Sequence, residues 1–520
     1  MTNKTRRKIY KNKSLKNPKN KKNKKNKKNK TKKGGMFENK TVETSTKIER
    51  PIFVKPRAFD DMFFKKYVNY YLENKKELLP DEFRNVPIGL WDTSQVKSMY
   101  GLFQNSVDFN EDLSEWQVSS VVTMEGIFRN TKNFNANISN WNVKNVVNIE
   151  EMFTSSVNFS SDISNWKFPR VTDMYLTFAG CKNFKPDISK WDVSNVTNMS
   201  NTFARSDFNF DISEWNVSNV TNMEKMFSGV KKDDLNISNW DVSNVINMRM
   251  TFDGCDLPNV DLSKWNVSNV QNMSYTFARS TKLNPNISNW NVKNVVNMER
   301  MFFQAAEFNP TELNWNVSNV KNMLGIFQEC SKFNADISKW DVSNVENMSD
   351  MFSRAISFNS DISIWNVSKV TTMSFMFANA INFGQPLNLW DVSNVIDFLN
   401  IFKNTKMKPI YVNNWIFEKL NELFKKRQRD GSYEDEIIEP LYKKYSKLTQ
   451  AKKDQLKIYN QELREKHLNW KNRNEYVKFI DDINRIYDSG EQVSDNKNIN
   501  QFLGDPFLNR ELLSYVGKDE

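Results

Sequence analysis

The sequence predicts an α/β solenoid of about thirteen repeated units, flanked by a basic tail and a helical end region. Three observations predict it. Fourteen tryptophans from Trp91 to Trp415 recur every 25 residues, with one interval of 24 between Trp191 and Trp215, and a fixed period of 20 to 50 residues marks a stacked-repeat architecture. The stretch WDVSNVTNMSNTF (191–203) returns with small edits in unit after unit. Within each unit the apolar residues change spacing, first alternate and then helical.

With Trp as position 1, a regular unit reads WDVSNVENMSDMFSRAISFNSDISI (340–364). The alternation over W-D-V, with a β-branched Val, predicts a short strand with Trp and Val inward. Position 8 is Ser, Thr, Asn or Asp in all thirteen units, from Ser98 to Asp397, the residue types that cap a helix N-terminus. Positions 9, 12, 13 and 16 then carry Met, Met/Thr/Ile, Phe and a small residue. That i, i+3, i+4, i+7 spacing predicts about two turns of helix with one apolar stripe. A return loop follows, usually with another Phe such as Phe333 or Phe358. One unit cannot bury this set, whereas stacked units can, at roughly 1.5–3 kcal/mol per large side chain before entropy. The predicted core therefore includes Trp191, Val193, Met199 and Phe203 in one unit. Trp265, Met273 and Phe277, and Trp340, Met348 and Phe352, are its counterparts in two others.

The flanks divide the chain further. Residues 1–35 form a Lys/Asn-rich tail, read as disordered because it has almost nothing apolar to bury, and 36–56 a linker. RAFDDMFFKKYVNYYLENKKELL (57–79) reads as an amphipathic helix within a 57–90 cap over the first unit, since a terminal repeat must cover its apolar face. The solenoid occupies 91–415. Leu456, Tyr459, Leu463, His467 and Trp470 give one helical stripe of an end domain over 416–490, and 491–520 reads as a linker and a short terminal helix.

The repeat resembles that of BspA-type leucine-rich-repeat proteins, in the variant found in mycoplasma surface lipoproteins as a domain of unknown function. The residues that carry the resemblance are those of WDVSNVTNMSNTF, over about residues 80 to 415. It implies a leucine-rich-repeat-like solenoid with a parallel β-sheet along one face, and roles in surface adhesion or protein binding. The chain departs from the secreted members, having no apolar signal segment at its start and no lipid-anchored Cys. The Lys/Asn-rich tail ending in KKGG is similar to proteins of giant DNA viruses.

Charge is divided unevenly. Residues 1–33 hold 17 Lys or Arg and no acid, leaving 57 basic against 62 acidic residues, a net of −5, in the remainder. A polyanion-binding tail would use Arg6, Arg7, Lys8, Lys21, Lys22, Lys24, Lys25, Lys27, Lys28, Lys32 and Lys33, attracting nucleic acid or an acidic surface by counterion release. With one His, His467, and no nucleotide-binding, hydrolase or zinc-protease motif, neither catalytic residues, a cofactor nor a metal is expected. Cys181, Cys255 and Cys330 all fall at position 16. Neighbours in that series lie three units apart, roughly 14 Å at about 4.8 Å per unit, too far for a disulfide, so they are read as small buried core residues. The tryptophan column could stack on sugars, but its inward register assigns it to the core. The outward column of Asp92, Gln117, Asn142, Lys167, Asp192 and Asn216 is monotonous, whereas a ligand surface needs differences between units. The irregular stretches after Ser206, at 230–236 and at 255–261 are candidates for such a site or for a local bend. No transmembrane segment is predicted. The sequence thus points to a non-catalytic scaffold for an unidentified protein partner, inside a host cell or in a virion. An adhesin-like surface protein, or nucleic-acid packaging through the tail, are the alternatives.

Overall fold

The computed structural model of the chain describes residues 61–232, 234–407, 412 and 415. All lie in the second of two compact units, Phe53–Glu520. The basic tail 1–35, the linker 36–56, the end domain 416–490 and the segment 491–520 lie outside the described residues, as do the lysines and arginines named for polyanion binding.

Two α-helices open the described chain, α1 (Asp61–Leu72) and the single turn α2 (Asp81–Arg84), followed by a short 3-10 turn at Ile88–Leu90. From Trp91 onward the described residues contain no α-helix and no multi-residue strand. The helix predicted over positions 9 to 16 is therefore corrected. Each copy forms two successive β-turns, 9–12 and 13–16, closed in unit 1 by Leu102 N–H to Met99 C=O (3.4 Å) and Ser106 N–H to Phe103 C=O (3.0 Å). Positions 11 and 15 have positive φ, as at Gly101 (56°) and Asn105 (65°), as the third residue of a type II turn requires. The alternate N–H groups leave the unit altogether. Met99, Gly101, Phe103 and Asn105 donate to the carbonyls of Thr123, Glu125, Ile127 and Arg129 in the next unit at 2.8–2.9 Å. A helix would have kept these bonds inside itself. Two turns in a row leave half of the N–H groups free to zip one rung to the next.

The strand expected at W-D-V also differs. Pairing between units is parallel but consists of isolated bridges, mostly at position 8, such as Asn198↔Asn222 and Asn272↔Asn297. The position-8 side chain works as a cap for a turn: Asn198 Oδ1 accepts the N–H of Ser200 (3.0 Å), while its Nδ2 donates to Asp173 one rung back (2.9 Å).

Inside, identical residues stack. Position-13 phenylalanines form an unbroken column from Phe103 to Phe402, successive rings 5.5–6.3 Å apart and within 16° of parallel. Trp191, Val193, Met199, Phe203, Trp265, Met273, Phe277, Trp340, Met348 and Phe352 are all buried. From Trp116 to Trp415 each repeat tryptophan donates its indole N–H to a carbonyl one rung back, as Trp141 does to Leu113 (3.0 Å). A buried indole needs such a partner. Cys181, Cys255 and Cys330 are buried free thiols, and each donates to the position-13 carbonyl of the preceding rung: Phe153 (3.1 Å), Phe227 (2.9 Å) and Phe302 (2.8 Å). Thr131, Ser156, Ser206 and Ser280 make the same bond through their hydroxyls.

The first rung has no rung before it, and α1 supplies partners instead. Asp61 Oδ1 accepts the Lys97 N–H (2.9 Å) and Lys65 Nζ donates to the Tyr100 carbonyl (2.8 Å). Phe64 and Val68, one turn apart on α1, are buried, with Phe64 packed edge-on against Trp91 and Trp116. Tyr71, tied to Glu111 at 2.8 Å, has its pKa pushed up to about 12 by burial and by that carboxylate.

Candidate interaction surface

The two turns put their end residues, 9, 12, 13 and 16, into the core and their middle residues, 10, 11, 14 and 15, on a ribbon running along the stack. The column at positions 2 to 8 spends its polar groups on itself. Asn219, Asn244 and Asn269 donate through Nδ2 to the carbonyls of Ser194, Ser218 and Ser243 at 2.7–2.8 Å. Asp192 and Asp241 accept the N–H of the serine two residues on, at 3.0 Å. The same residue types recur there because the ladder needs them.

On the ribbon, composition changes at every rung. Unit 4 presents Tyr175, Leu176 and Gly180, with Ala179 buried, and unit 9 presents Glu299, Arg300, Phe303 and Gln304. Cross-rung ion pairs hold many of these side chains in fixed orientations. Glu224 pairs with Arg249 (2.7 Å), and Asp253, its side chain 7 % exposed, receives two bonds from Arg279. Glu329 binds Gln304 (2.9 Å) and Arg354 (3.0 Å), and Arg129 pairs with Glu151.

Arg300 is the most connected of these groups. Its guanidinium lies 5.9 Å from both the Tyr275 and Phe303 rings, and it donates to the Tyr275 hydroxyl (2.9 Å), which itself donates to Glu299 (3.0 Å). Burial opposes its charge, and the Tyr275 bond with the charges of Tyr275, Glu299 and Asp350 raises its pKa nonetheless. Near the other end, burial raises the Glu150 pKa, helped by the charges of Asp173, Glu125 and Glu151. Preoriented aromatic and arginine side chains are the types enriched at binding hot spots.

In the irregular stretch 230–236, Lys232 has a distinct environment. Its side chain is 9 % exposed, its ammonium is 5.8 Å from the Phe208 ring centroid, and it pairs with Asp234 (2.7 Å). It covers Phe208 in a stretch that lacks the usual loop Phe, a packing repair. Among the described residues no three His, Cys, Asp or Glu side chains are grouped to hold a metal, and no helix is long and apolar enough to cross a membrane.

The chain belongs to the family described as "Mycoplasma protein of unknown function, DUF285", whose model matches residues 73–185, 155–259, 230–323 and 311–415. The overlapping matches span the stack of turns from its helical lid to Trp415. No curated protein and no solved structure matches the chain.

Proposed function

We propose that the chain is a non-catalytic scaffold whose repeats form a solenoid with parallel pairing between rungs, and that it binds another protein through the turn ribbon. The observation that carries this reading is the contrast between two outward columns, one exposed and one half-buried. The Asn/Ser column repeats and satisfies itself, whereas the ribbon changes side chain from rung to rung and holds Tyr275, Arg300 and Phe303 in place. The long repeated surface of a solenoid suits such a task. The basic tail attracts nucleic acid or another polyanion, and the chain acts inside a host cell or in a virion.

The test uses the full chain as bait, beside a ribbon variant (Tyr275→Ser, Phe303→Ser) and a control on the other column (Asn266→Ser). A protein retained by the wild type and the control but lost by the ribbon variant supports the reading. Equal retention by all three removes the ribbon from it. Immunogold labelling of intact particles would expose the rival, a repeat array displayed outward as an adhesin.

A further inference from the structure

Between units 5 and 9 the ribbon carries one cation per rung: Arg205, Lys225, Arg249, Arg279 and Arg300. Three carboxylates, Glu224, Asp253 and Glu299, lie among them, so this stretch has a net of two positive charges on a body that is net negative beyond residue 33. Four of the five cations occupy left-handed backbone, with φ of 57° at Arg205, 55° at Lys225, 59° at Arg279 and 49° at Arg300. Gly and Asn adopt that conformation at least cost, and the end rungs use them at the same positions, as Gly101, Asn105, Asn400 and Asn404 do. Left-handed backbone recurs at positions 11 and 15 along the whole stack, where Glu151, Leu176, Met250 and Phe375 also adopt it, so the turn sets the conformation and the residue type there is free to vary.

The cations are also presented outward. The side chains are a third to a half exposed, 48 % at Arg279, 36 % at Lys225, 34 % at Arg249 and 31 % at Arg300, and between Arg205 and Arg279 the ribbon opens at Gly254, where an added Cβ would meet nothing within 4 Å. Five rungs at about 4.8 Å each span roughly 19 Å, the length of about six extended residues at ~3.3 Å. Glu224 and Asp253 take up Arg249 and Arg279 and would repel a continuous phosphate backbone, whereas Lys225 and Arg300 are only loosely paired, at 3.9 and 3.7 Å, and with Arg205 can meet the spaced acidic side chains of a peptide.

From this we infer a partner chemistry, resting on the scaffold reading above: the ribbon of units 5 to 9 binds an extended, Asp/Glu-containing peptide segment of another protein. The probe is a synthetic twelve-residue peptide of Glu, Asp, Ser and Gly with a central photo-crosslinker, titrated by fluorescence anisotropy against the full chain. The variant is Arg205→Asn, Lys225→Asn, Arg300→Asn. Asn at these left-handed positions keeps the turns, which a thermal melt would show. The expected result is an affinity about tenfold weaker for the variant, as for three partly exposed charges each contributing modestly, with crosslinks mapping between residues 205 and 303. Unchanged affinity, or crosslinks confined to the basic tail that both proteins share, would overturn the inference. So would a duplex DNA probe that responds to the variant when the peptide does not. If the peptide result is negative while Tyr275→Ser, Phe303→Ser still loses a protein partner, the scaffold reading stands and the acidic-peptide assignment alone fails.

Discussion

The indole N–H of Trp265 donates to the carbonyl of Ile237, one rung back, at 2.9 Å, and the same carbonyl also accepts the backbone N–H of Trp240 at 3.2 Å. One oxygen thus closes a turn in its own rung and ties down the tryptophan of the next. Trp265→Phe leaves that oxygen with one partner, so denaturant titration should show a loss of about 1–1.5 kcal/mol. Trp265→Ala also opens a cavity in the core and should cost about 3–5 kcal/mol. Equal losses would mean that ring volume contributes nothing beyond the bond.

The thiols test a different link between rungs. Cys330 donates to the Phe302 carbonyl, and serine hydroxyls make the same bond at Ser156 and Ser280. Cys330→Ser should therefore leave stability within about 1 kcal/mol, whereas Cys330→Ala should lose roughly 1 kcal/mol with the bond. Burial pushes the Cys181, Cys255 and Cys330 pKa values up, so thiolate is scarce at neutral pH. Labelling by a maleimide should be slow in the native protein and reach all three thiols after denaturation. Fast native labelling of two of them would contradict their burial.

The sequence made the period, the inward Trp and Phe and the small position 16 legible, because stacking identical units repeats its demands in the same register. It misled on the helix. Apolar residues at positions 9, 12, 13 and 16 satisfy a helical stripe, but they are also the first and last residues of two consecutive four-residue turns. Gly101, Gly126, Gly180 and Gly229, at positions 11 and 15, favour turns over a helix interior. The ribbon was harder to see, since no sequence pattern says which of four outward positions shares a face until the turn geometry is known. The position-16 hydrogen bond was hidden because Ser, Thr, Cys and Ala all read as small.

Acid should loosen the stack. Hydrogen bonds from the side chain and backbone N–H of Ser189, Ser194 and Ser243 hold Asp187, Asp192 and Asp241 below the usual carboxylate range. Their folded values lie under the unfolded value of about 3.9, so their contribution is present at neutral pH and is lost as pH falls from about 4 through the folded values. Asn takes these two places in other rungs, where Asn137 Oδ1 accepts the Ser139 N–H and Asn216 Oδ1 the Ser218 N–H, each at 3.1 Å. The variant Asp187→Asn, Asp192→Asn, Asp241→Asn should keep its turns, and its urea midpoint should fall less between about pH 6 and pH 3 than that of the wild type. Parallel curves for the two proteins would show that these carboxylates are not what acid titrates.

Two glycines separate backbone strain from steric exclusion. Gly254 has φ +66° and open space where a Cβ would stand, while at Gly89, just before the first rung, an added Cβ would sit 2.0 Å from the Asp112 carbonyl oxygen. Gly254→Ala should therefore cost only the left-handed conformation, about 1 kcal/mol, and Gly254→Asn less, since Asn tolerates that region. Gly89→Ala must move backbone against backbone where the lid meets the stack, so it should cost about 1–3 kcal/mol or more. Because α1 supplies the hydrogen-bond partners of the first rung through Asp61 and Lys65, hydrogen exchange in Gly89→Ala should rise first at the Lys97 amide and the amides beside it. In Gly254→Ala those amides should keep their protection. Faster exchange at Lys97 in both variants would mean that the rungs unfold as one cooperative body, with no separately weakened end.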